Sequence, residues 1–334
     1  MTAPIAITDV VRPHDVAGAI SVCCENANSR FIAGGTDLMV NIRHGIQTPS
    51  TLIDLTGIDE MAAIAVDSSE IRIGAGVTIA ALARHPDIAA VYPAIVHAAE
   101  RIAAPGHRAL GTVGGNLCLD TRCIYYNQSE WWRSANGYCL KRQGEVCHVA
   151  PQGGRCHAAF TGDLAPVFLA LDAAAEIANS AGRRRIPLAE MYVEDGRAHL
   201  RLAADDLVVA VRIPVRPLRS AYAKVRLRGA IDYPLAGVAV ALAAERGALT
   251  SLRIGITGTN SRPFLLKGTD NFAGRPVDEN VLQDIDRLVQ RQVQPMRTTI
   301  TSAHYRRLAA AALARRLTAQ LFQQANSDAR STGL

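Results

Sequence analysis

Phe31-Ile32-Ala33-Gly34-Gly35-Thr36-Asp37-Leu38 is the stretch on which the reading of this chain turns. Arg30 to Ala33 reads as a short buried strand, and a glycine pair follows it directly. A helix through about His44 and a second strand at Thr51-Leu52-Ile53-Asp54-Leu55 complete a βαβ unit, with an earlier helix over Asp15 to Asn26. Glycines let a backbone approach a phosphate closely, and the free amides of a helix start carry partial positive charge. A plain tight turn with Thr36 or Asp37 as helix cap accounts for the same residues. A carboxylate does not attract an anion, so Asp37 suits a capping or orienting role.

A second glycine loop, Gly111-Thr112-Val113-Gly114-Gly115-Asn116, gives a ligand two sides. Gly74-Ala75-Gly76 follows the strand Ile71 to Thr78, but the third glycine of a dinucleotide fingerprint would fall at Ile79, so that match fails. No Walker loop occurs. Two glycine loops without either motif fit a large dinucleotide in a cleft.

Just beyond the second loop, Cys123, Cys139, Cys147 and Cys156 share one stretch with both tryptophans, Trp131 and Trp132. Thiolate is the ligand that zinc and iron–sulfur centres select. The spacing Cys-x15-Cys-x7-Cys-x8-Cys matches neither a zinc knuckle nor a bacterial ferredoxin run, so chemistry alone leaves zinc and iron–sulfur both open. His148 and His157 each follow a cysteine and read as neighbours rather than ligands, and Cys118 reads as a small buried residue. Five cations (Arg122, Arg133, Lys141, Arg142, Arg155) against three acids suggest a cationic rim that tunes a centre or steers an acidic partner.

The remaining sequence sets limits. The chain has 334 residues, 49% of them hydrophobic and 20% charged, enough for two or three well-buried units of an ordinary globular protein. Residues 1–5 lack a basic and an apolar region, and no apolar run spans a bilayer, which predicts a cytoplasmic protein with reduced thiols and no membrane association. A net charge of +6 without a basic stripe argues against nucleic acid. Arg306-Arg307 and Arg315-Arg316 read as a solvated or subunit-facing helix surface.

Further helices are expected over Ile79 to Arg84, Pro86 to Ala103, Asp163 to Val167, Val238 to Arg246, Asn280 to Val289 and His304 to Gln324. Strands are expected at Glu176 to Ala178, Leu207 to Ile213, Ala221 to Leu227 and Leu252 to Gly258, with a polar tail from Ser327. This mixture lacks strict βα alternation and predicts an α+β fold.

Ala33 to Leu38 and Thr112-Val113-Gly114-Gly115-Asn116-Leu117 resemble the two FAD loops of flavin subunits in the xanthine oxidase family of molybdenum hydroxylases. More narrowly, Asp120-Thr121-Arg122-Cys123, Asn127 to Arg133 and Asn136-Gly137-Tyr138-Cys139-Leu140-Lys141 resemble the β subunits of the 4-hydroxybenzoyl-CoA reductases, which carry an extra 4Fe-4S cluster. The likeness covers nearly the whole chain.

It implies a two-subdomain FAD-binding domain of the PCMH type, with FAD in the cleft. A smaller α+β carboxyl-terminal domain like that of CO dehydrogenase flavoprotein follows. The implied bounds are 1–217 (subdomains about 1–57 and 58–217, cluster insertion about 119–158) and 218–330. It further implies FAD contacts from Phe31, Ile32, Ala33, Gly34, Gly35, Thr36, Asp37, Leu38, Ile102, Thr112, Val113, Gly114, Gly115, Asn116, Asp163 and Lys224. The cluster would sit on Cys123, Cys139, Cys147 and Cys156.

The implied partners are a molybdopterin-containing large subunit and a 2Fe-2S small subunit, in a dimer of heterotrimers, with ferredoxin as donor. The implied activity is electron relay from ferredoxin through cluster and flavin toward molybdenum. A related hydroxylase acting on another aromatic or heterocycle, and a zinc-stabilised non-redox scaffold, are the alternatives.

Overall fold

A computed structural model describes residues 7–331; residues 1–5, read above for a leader, lie outside them, as do residues 332–334 of the polar tail. Three sheets organise the chain. The first is parallel, in the order Asp9–Val11, Thr51–Asp54, Ser29–Ile32, with Phe31 opposite Ile53. The helix Val16–Glu25 connects its first strand to its last, capped by Asp15 accepting from the Gly18 amide at 2.7 Å.

The second sheet is antiparallel, in the order Ile64–Val66, Glu70–Gly74, Leu207–Pro214, Ala174–Asn179, Gly182–Pro187. Its central strand comes from far along the chain and pairs with both Glu70–Gly74 and Ala174–Asn179, so everything from 75 to 173, including the second glycine stretch and the cysteines, is inserted between the two strands that flank it. Gly74 and Gly76 serve packing here: an added Cβ would stand 3.0 Å from the Met61 carbonyl at Gly76, and closer still at Gly74. The failed fingerprint has this structural reason.

The third sheet is antiparallel, in the order Phe264–Leu265, Ala248–Thr257, Ala236–Glu245, Arg219–Val225. The helix Leu164–Ala170, buried at every residue, packs on the third sheet and against the helices Pro93–Arg101 and Val113–Leu117. Gly255 admits it, since a side chain there would run into the Pro166 carbonyl. Helices Glu279–Gln292 and Ala303–Ser331 cover the opposite face of the third sheet. Among the described residues no helix is long and apolar enough to cross a membrane.

Three expectations are corrected. Val238 to Arg246, read as helix, is the strand Ala236–Glu245. It is buried on both faces, between Leu164–Ala170 and Ala303–Ser331, so both faces are apolar and the period-2 alternation that marks a strand is lost. The helix expected over Pro86 to Ala103 is two helices, Pro86–Val91 and Pro93–Arg101, because Pro93 cannot continue the first and starts the second. Arg306 is not on a solvated surface; it is wholly buried.

His199 sits in the core beneath the second glycine loop, its Nε2 2.9 Å from the Leu119 carbonyl and its ring 5.8 Å from Phe160. Burial pulls its pKa down to about 4, so the neutral Nε2–H form donates to Leu119. The unfolded chain takes up a proton near 6.5 and the folded one does not until about 4. Stability is therefore full above 6.5 and falls as pH drops through that window, by roughly 3 kcal/mol from this group. Denaturant melts at pH 7 and pH 5 should show a loss that is markedly smaller in His199→Gln; equal losses would refute it.

Candidate cofactor cleft and cysteine pocket

The first and second glycine loops meet. At Gly34 an added Cβ would stand 1.9 Å from the Leu110 carbonyl oxygen and 2.9 Å from the Gly111 nitrogen. Gly35 takes φ +67°, a left-handed conformation that a glycine enters freely. Beside this contact opens a cleft of about 460 Å³, a size typical of ligand sites.

Most of the residues singled out in the sequence line it: Phe31 to Leu38 without a gap, Ile102, Thr112, Gly115, Asn116 and Asp163. Three do not. Val113 is buried in the core, and Gly114 is pressed against Ala75, donating to its carbonyl at 2.7 Å. Lys224 lies behind Asp163, 2.9 Å from its Oδ1, with 1% of its side chain exposed.

The two loops are unequal in chemistry. Among the described residues the backbone amides of Gly34, Gly35, Thr36 and Asp37 donate to nothing in the chain. Those of the second loop are spent: Val113 on Val77, Gly114 on Ala75, Gly115 on Thr112 Oγ1, Asn116 on Thr112. The first loop alone can cradle an anion with its backbone. Asp37 does not cap the helix Leu38–Arg43. Instead it accepts from Asn41 at 3.2 Å and pairs with Arg122.

Asp163 accepts from Tyr222 Oη at 2.6 Å as well as facing Lys224. Burial pushes its carboxyl pKa up, against the opposing pull of the Lys224 charge. Among the described residues Gln47 Oε1, Asp120 Oδ2 and Thr161 Oγ1, buried on the cleft wall, have no hydrogen-bond partner. Such a set can receive the hydroxyls of a sugar or ribityl chain, so the cleft fits FAD.

Sequence reasoning missed the contribution of the third sheet. Ile231, Asp232 and Tyr233 close one side of the cleft. Ile231, at φ +52°, donates to the carbonyl of Ala103, itself at φ +42°, and Tyr233 lies 4.8 Å from the Arg122 guanidinium. Nothing in Gly229-Ala230-Ile231-Asp232 signals this. Cys118 also differs from expectation, being half-buried on the cleft wall, where burial raises its thiol to about 12.

Cys123, Cys139, Cys147 and Cys156 all line a second, small pocket, together with Tyr125, Lys141 and His148. Cys139 is held in a tight turn with Gly144 packed on its backbone, and Gln143 (φ +64°) and Tyr138 (φ +57°) are left-handed. The Cys156 thiol hydrogen-bonds Cys147, which lowers the Cys147 pKa and raises that of Cys156; backbone amides of His157, Val149 and Ala150 add to the former. Among the described residues no three His, Cys, Asp or Glu side chains converge as they would on one ion. His148 stacks on Tyr125 at 5.1 Å; His157 is absent from the pocket wall.

Of the expected cationic rim only Lys141 lines the cysteine pocket. Arg122 turns to Asp37, Arg133 is buried against Glu130, Gln128 and His44, and Lys141 is buried against Asp120. Arg155 pairs with Glu194 at 3.4 Å. The segment is no separate module either, since these pairs stitch it to the cleft.

Residues 5–216 match the family described as FAD binding domain in molybdopterin dehydrogenase, and residues 220–321 the CO dehydrogenase flavoprotein C-terminal domain. The chain belongs to the FAD-binding medium subunits of the molybdenum hydroxylases. It is 31% identical to the aldehyde oxidoreductase FAD-binding subunit PaoB of Escherichia coli, over 72% of this chain and 78% of that one. The carbon monoxide dehydrogenase medium chain of Afipia carboxidovorans is 26% identical over 92% and 94% of the two chains. Reconstituted CO dehydrogenase from Oligotropha carboxidovorans superposes with a TM-score of 0.79 at 25% identity, covering 96% of this chain and 99% of that one. Membership makes this an FAD-binding oxidoreductase subunit acting with large and small partner subunits, and removes the non-redox scaffold from consideration.

Gly34→Ala forces the two loops apart at backbone, beyond the ~1–3 kcal/mol of ordinary overpacking. Purified variant should retain little or no flavin and melt lower, whereas Gly106→Ala, with nothing within 4 Å of the added carbon, should match the parent. Normal flavin content in Gly34→Ala would show that the loop contact is dispensable.

Proposed function

We propose that this chain is the FAD and 4Fe-4S electron-relay subunit of a cytoplasmic molybdenum enzyme of the 4-hydroxybenzoyl-CoA reductase type. One observation carries the reading. Asp120 lines the flavin cleft, Lys141 lines the cysteine pocket, and the two are joined by a 2.6 Å ion pair. The wall between the two sites is thus one salt bridge thick, and the thiols and the cleft stand as neighbours.

The residues divide the work. Free amides of Gly34 to Asp37 suit a pyrophosphate, and Asp163, Thr161 and Asp120 suit hydroxyl groups. Lys224 holds Asp163 in place from behind. Four thiols lining one pocket suit a cluster that takes four thiolate ligands. When bound, flavin exchanges one- and two-electron steps and a cluster passes single electrons. Reductive removal of a phenolic hydroxyl would take place on the molybdenum subunit, with ferredoxin supplying the electrons.

A second reading has electrons leaving through this subunit during oxidation of another substrate. The names of the relatives, an aldehyde oxidoreductase and a carbon monoxide dehydrogenase, favour it.

Iron, acid-labile sulfide, zinc and flavin should be measured on anaerobically purified protein. The expected content is about four irons, four sulfides and one FAD per chain, with iron and sulfide lost in Cys139→Ser. Flavin without iron would overturn the cluster and leave the family assignment untouched. If the cluster is present, reduction of 4-hydroxybenzoyl-CoA by the assembled complex separates the two directions.

A further inference from the structure

Arg306, on the long helix Ala303–Ser331, has no exposed surface. Its guanidinium donates to the carbonyls of Leu235 (3.0 Å), Met296 (2.7 Å) and Gly258, and to the Thr298 hydroxyl (3.0 Å). All four acceptors are neutral. The other deeply buried cations each have an acid: Arg133 has Glu130, Lys141 has Asp120 and Lys224 has Asp163. Among the described residues Arg306 pairs with no carboxylate. A buried ion without a counter-charge is costly, so an uncompensated one calls for an anion nearby.

The anion available is a cysteine. Thr298, which accepts from Arg306 through its hydroxyl, also accepts from the Ile124 amide through its carbonyl at 3.0 Å, one residue from Cys123. Burial lowers the Arg306 pKa to about 10, leaving it charged at neutral pH, and Cys123 is the group that acts in the opposite sense. Two hydrogen bonds through Thr298 thus link Arg306 to the residue next to Cys123, so a negative charge created at the cysteine pocket would meet it through protein.

We propose that Arg306 is the buried counter-charge of the cysteine pocket, standing behind Cys123 and favouring the reduced, more negative form of a 4Fe-4S cluster held there. The inference rests on the cluster reading above. Four thiolates make such a centre anionic, and each electron added makes it more so; a fixed cation in a low-dielectric site lowers the energy of that added charge. The sequence alone assigned this role to a rim of five cations, of which Arg122 and Arg155 turn to Asp37 and Glu194 instead. Arg306 contributes from a domain that carries none of the four cysteines, so the seat of the potential is shared between domains.

The test is an anaerobic redox titration of the full chain, wild type beside Arg306→Gln and Arg306→Lys, followed by the spectroscopic signal of the reduced cluster. Iron and sulfide content and melting temperature are measured on the same samples. Arg306→Gln should keep its iron and shift the reduced-to-oxidised ratio about tenfold toward oxidised at a fixed potential, equivalent to ~59 mV for one electron. Arg306→Lys, which keeps the charge, should stay near wild type. A lower melting temperature with an unchanged potential would make Arg306 a structural staple and overturn the proposal. Absence of iron from wild type would instead overturn the cluster reading.

Should Arg306→Gln not fold, the wild-type protein supplies a second reading. A buried charge is screened by salt far less than an exposed one, so the potential should hold between low and molar ionic strength. A potential that falls with salt would assign the tuning to the partly exposed Arg142 and Arg155 and overturn the role of Arg306.

Discussion

Backbone meets backbone at Gly34 and Leu110, and the rest of the site depends on that contact. The parallel unit around Ser29–Ile32 and the larger antiparallel unit are joined where a strand-to-helix turn touches the end of the helix Pro105–Leu110. No side chain larger than hydrogen allows it. The cleft is what remains beside the touching point, so its width is set by a main-chain distance rather than by adjustable side chains. This explains why the turn carries two glycines with different duties. Gly34 permits approach, while Gly35 permits the left-handed bend that leaves four amides free.

Much of this was legible in the sequence because it concerns backbone. A glycine pair between an apolar strand and a helix announces close approach, and the lining of the cleft from Phe31 to Leu38 follows. The second glycine stretch, read as a loop, is the helix Val113–Leu117 capped by Thr112, and its chemistry was not legible. Its amides are consumed by Ala75, Val77 and Thr112, partners that spacing does not reveal. The strand Ala236–Glu245 was misread for a related reason. Periodicity reports which face is buried, and a strand covered on both faces by helices has no period to report.

Ile231, Asp232 and Tyr233 were illegible altogether, because they reach the cleft through tertiary placement of the third sheet. Charge was the least legible property. The sequence counts five cations near the cysteines, but counting says nothing of direction. Arg122, Arg133 and Lys141 are each spent on an acid, and two of those pairs, Arg122 with Asp37 and Lys141 with Asp120, fasten the cysteine segment to the flavin cleft. The segment therefore behaves as part of the cleft wall, not as an ornament on the surface.

The same bookkeeping isolates Arg306. Among the described residues, once each buried cation is matched with its acid, one positive charge remains, and it lies on the far side of Thr298 from the cysteine segment. Burial without compensation is tolerated in folded proteins where a charge is used, because a neutral side chain could satisfy packing at lower cost. Met296, Thr298, Leu235 and Gly258 offer only neutral oxygens, which orient a guanidinium without cancelling its field. An oriented and uncancelled charge behind one cysteine acts on whatever charge that cysteine comes to carry. It reaches the pocket through protein rather than solvent, so its effect persists under conditions that silence the surface.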